Sequence, residues 1–208
     1  YYASRGLGDV YKRQERKVNN LMNTKTKKLS TVSMVLCGMF AALVAIGAFI
    51  QIPVPYMDYF TLQFFFVLLA GLILGADKGA ISVGCYVLLG LVGVPIFAAG
   101  GGIGYIFRPS FGYLVGFIVS AYVTGKVCEK LKASYKNYLL ACLAGFVVTY
   151  AIGIVYKFII LNFYAHTPAT LGVIFLSCFP LDMPGDFVLC LLAAGVGLRM
   201  RKSGFYLS

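Results

Sequence analysis

Acidic side chains are scarce in this chain. Of its 208 residues only seven are Asp or Glu, one is His, and charged residues of both signs make up 12%. Its composition is 60% hydrophobic and its mean hydropathy is +0.86. A soluble domain of this length cannot hide so much apolar surface, because too much of it remains at the boundary. The shortage of charge excludes that class and leaves an all-α polytopic membrane protein as the direct reading. Catalytic signatures are missing as well: there is no HExxH, no GxSxG and no pair of catalytic carboxylates. No Walker A pattern occurs either, since TGKV and ADKG lack the required frame, so ATP has no site of that kind. A membrane-embedded enzyme of unrecognised type would have to work with isolated aspartates and one histidine. The six cysteines (Cys37, Cys85, Cys128, Cys142, Cys178 and Cys190) form no CxxC pair or His/Cys cluster. Most lie inside apolar runs, where cysteine packs as a small hydrophobe, so no metal and no cofactor is implied.

What is present is a series of apolar segments separated by short basic blocks. The net charge of +11 is distributed between segments, a pattern of membrane topology rather than a nucleic-acid footprint. Residues 1–21 read as a non-native or disordered leader: the run YYASRGLGDVYKRQ resembles translated sequencing-adapter read-through, and Met22 reads as the start. Residues 22–202 read as a single six-helix transmembrane substrate-binding domain and 203–208 as a tail. The apolar segments run from about Thr31 to Ile50, Thr61 to Gly75, Ala80 to Phe97, Phe111 to Gly125, Tyr138 to Tyr164 and Gly185 to Leu198. Lys25, Lys27, Lys28, Lys78, Lys126, Lys130, Lys132, Lys136, Arg199, Arg201 and Lys202 all fall on one side. The excess of Lys and Arg marks that side as cytoplasmic and places both termini inside. Arg108, Lys157, Asp58, Asp182, Asp186 and His166 are left for the outer half.

Several of these residues invite a closer reading. The stretch from Gly100 to Phe117 (GGGIGYIFRPSFGYLVGF) breaks the apolar pattern with glycines, aromatics and one arginine, as one wall of a small-molecule pocket would. Pro184-Gly185-Asp186 opens the sixth segment, proline being suited to a first helical turn. Asp186 then reads either as a simple helix cap or as an ionised acceptor for ligand N–H groups in a polar cavity. Asp182 reads as a cap or interfacial residue and His166 as solvated. Arg108 is suited to fork a ligand carboxylate, to anchor at the interface or to pair with Asp58. Lys157, seven residues before Tyr164, is satisfied by snorkelling to the boundary. In the first segment Ala41 and Ala45 form an AxxxA pattern, with Gly38 and Ala42 at the same spacing, on which another helix can pack closely. Packing within the chain meets that pattern as readily as docking.

Taken together, AALVAIGAFI, IPVPYMDYFTLQ, FVLLAGLILGADKGAISV, LLGLVGVPIF, RPSFGYLVGF and PGDFVLCLLAA resemble, in order and spacing, the biotin-binding membrane subunit (S component, BioY family) of energy-coupling factor (ECF) vitamin transporters. The resemblance covers nearly all of residues 30–202. It implies the S-component fold of six membrane helices with both termini inside, in the cell membrane of a prokaryote. It implies capture of biotin on the outer side, with a T component and two cytosolic ATPases supplying the transport energy. Ala41 and Ala45 would dock on the T component. Asp186 would accept the N–H groups of a ureido ring. Gly101 and Gly102 would let the ligand lie against backbone, and Tyr105 and Tyr113 would wall it. The IPVPYMDYF loop, with Tyr56 and Gln63 nearby, would act as a lid.

The chain departs from the family pattern where ligand chemistry sits. Gly100 stands where some members carry a polar side chain, Leu114 where some carry arginine, and Leu189 where many carry lysine. Each charge-assisted hydrogen bond contributes about 1.5–3 kcal/mol, so another cation must hold the carboxylate. Arg108 is the first expectation and Lys157 the second. A different carboxylate-bearing vitamin, such as a lipoate-like acid, is the alternative ligand.

Overall fold

In the computed structural model, residues 30–52, 60–165, 167, 169–178 and 182–204 are described. Helix α1 spans Thr31–Phe49. Two-residue strands β1 (Gln51–Ile52) and β2 (Phe60–Thr61) pair antiparallel, Gln51 opposite Thr61 and Ile52 opposite Phe60. Helices α2 (Gln63–Leu74) and α3 (Ala76–Val92) follow, then a 3-10 turn at Ile103–Phe107 and α4 (Phe111–Lys130). Helix α5 (Tyr135–Ile159) runs on into a π-turn at Ile160–Tyr164. A short α6 (Leu171–Cys178) precedes α7 (Asp182–Lys202).

Among the described residues, four helices are long and apolar enough to cross a membrane: α1, α4, α5 with its π-turn, and α7. Helix α2 is apolar but has only 12 residues. At 1.5 Å per residue it covers about 18 Å, well short of a hydrocarbon core of about 30 Å. Its sequence, QFFFVLLAGLIL, is apolar on every face, and ten of its residues are buried. A helix without a polar face belongs at the centre of a protein. Here it packs against α3, α4 and α7, with Phe64, Leu68 and Leu72 fully buried.

The helices approach closely where glycine faces a neighbour. Gly116 of α4 lies on the backbone of Thr149, and Gly145 of α5 lies on the hydroxyls of Ser120 and Thr124. In lipid, where burial of apolar side chains drives little, such close van der Waals packing is what holds helices together.

Helix α4 runs on to Lys130, α5 begins at Tyr135 and with its π-turn reaches Tyr164, and α7 spans Asp182–Lys202, each longer than its apolar segment; both ends of α3 also differ from the sequence expectation. The second and third segments were expected to part at ADKG, but α3 begins at Ala76, directly after Gly75. Gly75 turns the chain in one residue at φ +83°, and the Glu129 carboxylate accepts the Ala76 N–H at 2.9 Å. A carboxylate from α4 thus takes up an otherwise unpaired donor at the α3 N-terminus, and Asp77 in the first turn suits the helix dipole. At its other end α3 stops at Val92 instead of reaching Phe97. Gly93 takes the left-handed conformation there, and the following residues fold back over the helix. Gly102 N–H donates to the Gly90 carbonyl at 2.7 Å, and Phe97 and Gly100 exchange backbone bonds at 2.9 and 3.1 Å.

Candidate functional site

An open cavity, about 840 Å³ when the solvent space at its mouth is included, lies at the end of the bundle where α2, α4 and α7 begin and α5 finishes. Its wall is built from three helix starts and one long helix. Phe60 and Thr61 of β2 lead into Gln63 and Phe64 of α2. Ser110 stands just before α4, Tyr113, Leu114 and Phe117 come from α4, Tyr150 and Lys157 from α5, and Asp182 and Asp186 from α7.

The polar groups are positioned by specific bonds. The Tyr150 hydroxyl donates to Oδ2 of Asp186 at 2.8 Å. Asp186 sits one turn into α7, since the helix begins at Asp182 and Pro184 falls in its first turn, as proline prefers. Its carboxylate is therefore a cavity group tied to α5 rather than a helix cap. Gln63 donates its amide N–H to the Tyr86 hydroxyl and accepts from Thr61 Oγ1 at 3.2 Å, while Tyr86 donates to the Ile96 carbonyl at 3.1 Å. This chain of bonds fixes which way Gln63 faces and ties the loop after α3 to the start of α2.

The aromatic wall is held by contacts across elements. Tyr113 meets Tyr150 edge to face, with ring centroids 5.8 Å apart. Tyr105, buried in the 3-10 turn, lines the cavity and packs on Phe97 at 4.6 Å. Tyr156 holds that turn in place by donating its hydroxyl to the Ile106 carbonyl.

The structure sorts the residues expected from sequence. It brings Gln63, Tyr105, Tyr113, Lys157 and Asp186 to one cavity. Arg108 is exposed and lies outside the lining, its guanidinium 5.3 Å above the Tyr105 ring. Gly101 and Gly102 are also outside it: Gly101 crowds the Val94 carbonyl and Gly102 bonds Gly90, so their role is to fold the loop onto α3. Ala98 and Ala99 of that loop reach the cavity instead. Tyr56, Asp58 and His166 lie outside the described residues. Leu114 lines the cavity as an apolar group, and Leu189 is buried in the core. On α1, Ala41 is buried in the core and Ala45 packs against it, whereas Gly38 and Ala42 are exposed.

Tyr150 is among the lining residues that sequence reasoning missed, with Thr61, Phe64, Ala98, Ala99 and Phe117. Its signal was spacing: Tyr150, Gly153 and Lys157 stand three and four residues apart, on one helical face.

Residues 22–204 match the model of the BioY family. The chain belongs to the BioY family. Among BioY relatives, the "Probable biotin transporter BioY" of Lysinibacillus sphaericus is 40% identical over 177 residues, which are 85% of this chain and 90% of that protein. The "Biotin transporter BioY" of Thermotoga maritima is 38% identical over 173 residues, 81% of this chain and 95% of that one. Among solved structures, the S-component for biotin from an ECF-type ABC transporter superposes with a TM-score of 0.75 at 25% identity. The superposition covers 88% of this chain and 96% of that one. The helical architecture thus matches that of a solved S-component.

Proposed function

We infer that this chain is the substrate-binding membrane subunit of an ECF-type importer and that its ligand is biotin. The observation that carries the reading is the Tyr150–Asp186 pair inside a cavity with aromatic walls, in a chain of this family. An ionised carboxylate has only acceptor sites, and one Tyr hydroxyl occupies part of them. The rest are open to N–H donors such as those of a ureido ring. Tyr113, Tyr105 and Phe117 supply flat apolar surface for the bicyclic body of the ligand.

In this reading six helices, α1 to α5 and α7, form the membrane domain in the bilayer of a prokaryotic cell, the short α2 lying packed inside the bundle. Lys126, Lys130, Arg199, Arg201 and Lys202 lie at the ends of α4 and α7 remote from the cavity. The excess of basic residues supports a cytoplasmic position for that end and an outer-side position for the cavity. The chain binds without catalysis, and a T component with two ATPases supplies the free energy of transport. Docking on the T component uses the exposed edge of α1 that carries Gly38 and Ala42, with Ala45 beside it.

Titration of the purified chain in lipid nanodiscs with biotin, desthiobiotin and lipoate tests the reading. Submicromolar binding of biotin, and not of lipoate, is expected. Absence of biotin binding in that range, with tight binding of another acid, overturns it.

A further inference from the structure

Among the described residues, Lys157 is the one basic residue in the cavity lining. No ion pair to Lys157 is formed among the described residues, although Asp182 and Asp186 line the same cavity. A lysine in the apolar half of a membrane helix is costly unless its ammonium reaches the boundary or a polar partner. The snorkelling expectation takes the head group to the boundary. Here the side chain is part-buried and lines the cavity. Arg108 does not compete for this place, being exposed over Tyr105, and Leu114 puts an apolar group in the wall.

The spacing along α5 gives the charge a purpose. Tyr150 and Lys157 are seven residues apart, two turns along one face, so their positions differ by about 10 Å along the axis. Gly153 lies between them, and the ring of Tyr113 rests on it. One face of α5 therefore presents, in order, the hydroxyl that bonds Asp186, an aromatic ledge and a cation. A ligand laid along this face meets an N–H acceptor at one end, a flat apolar surface in the middle and an ammonium at the other. That sequence of groups matches a cyclic urea joined through an aliphatic chain to a free carboxylate.

Building on the biotin reading above, we propose that Lys157 holds the ligand's carboxylate and is the residue by which this chain distinguishes the free acid from its amide or ester. The ammonium pairs with the tail, whereas a neutral amide leaves it without a counter-charge in a part-buried site. The preference for acid over amide is therefore a property of one side chain on α5.

Calorimetric titration of the chain in nanodiscs with biotin and with biotinamide tests this, using the wild type, Lys157→Met, Lys157→Arg and Lys157→Gln. The wild type is expected to bind the acid about 10- to 100-fold more tightly than the amide, the range of one charge-assisted hydrogen bond. Lys157→Met is expected to bind both alike, near the wild-type affinity for the amide. If Lys157→Met binds neither, the other two variants decide: the preference survives in Lys157→Arg and vanishes in Lys157→Gln. Equal affinities in the wild type, or a preference that persists in Lys157→Met, overturn the role of Lys157 while leaving the biotin reading intact. A preference lost in Arg108→Gln but kept in Lys157→Met likewise overturns it. A wild type that binds neither ligand overturns both readings together.

Discussion

The ring of Tyr113 rests on Gly153. A Cβ built at Gly153 would stand 2.5 Å from Cδ1 and Cε1 of that ring, closer than any real contact. Gly153→Ala therefore forces Tyr113 out of place, at about 1–3 kcal/mol for overpacking. Because Tyr113 is a wall of the cavity, the loss is expected in ligand binding as well as in stability. Titration with biotin should show weaker affinity while the variant still purifies as a folded protein. Unchanged affinity would show that this wall does not touch the ligand.

Tyr150→Phe removes the hydroxyl that donates to Asp186 and keeps the ring that packs on Tyr113 and Phe146. The carboxylate stays in its part-buried site with one donor fewer. A hydrogen bond to a charged group contributes about 1.5–3 kcal/mol. Biotin affinity should fall, because Asp186 is no longer held facing the ligand. Asp186→Asn should fall further, since it also replaces an acceptor with a donor. The ratio of the two dissociation constants checks the order.

Glu129 links two helices through one hydrogen bond, accepting the Ala76 N–H that opens α3. Glu129→Ala leaves that donor unpaired, at about 0.5–2 kcal/mol by analogy with the loss of a helix cap. Thermal unfolding in detergent should shift to lower temperature, and biotin affinity should stay the same because the cavity lies at the other end of α4.

Two alanines of α1 separate folding from assembly. Ala41 is buried in the core, so Ala41→Trp should lower the yield of folded protein through overpacking. Ala42 is exposed, so Ala42→Trp should leave thermal stability unchanged. It should nevertheless abolish co-purification with the T component and the ATPases. Co-purification that survives Ala42→Trp would move the docking surface to another helix.

Much of this was legible in the residues. Apolar runs must satisfy their own backbone in lipid, so each read directly as a helix, and Pro184-Gly185-Asp186 marked the start of the last one. Gln63, Tyr105, Tyr113 and Asp186 were expected at the cavity and are found lining it. The glycines at 101 and 102 were legible as a break but not in their effect. Their partners, the carbonyls of Val94 and Gly90, come from the chain folding back on α3.

By itself the sequence determined the membrane class, the order of the helices, the family and the short list of polar residues from which a site could be built. The family follows from the motifs the chain shares with it, and the rest from hydropathy, charge and local spacing, which are properties of consecutive residues. Only the tertiary structure decided which of two cations meets the cavity, and that Tyr150 belongs there at all. The facing of a side chain depends on the rotation of its helix against neighbours distant in sequence. Here the contact between Gly153 and Tyr113 and the bond from Tyr150 to Asp186 set that rotation, and they turn Lys157 inward while Arg108 stays outside over Tyr105.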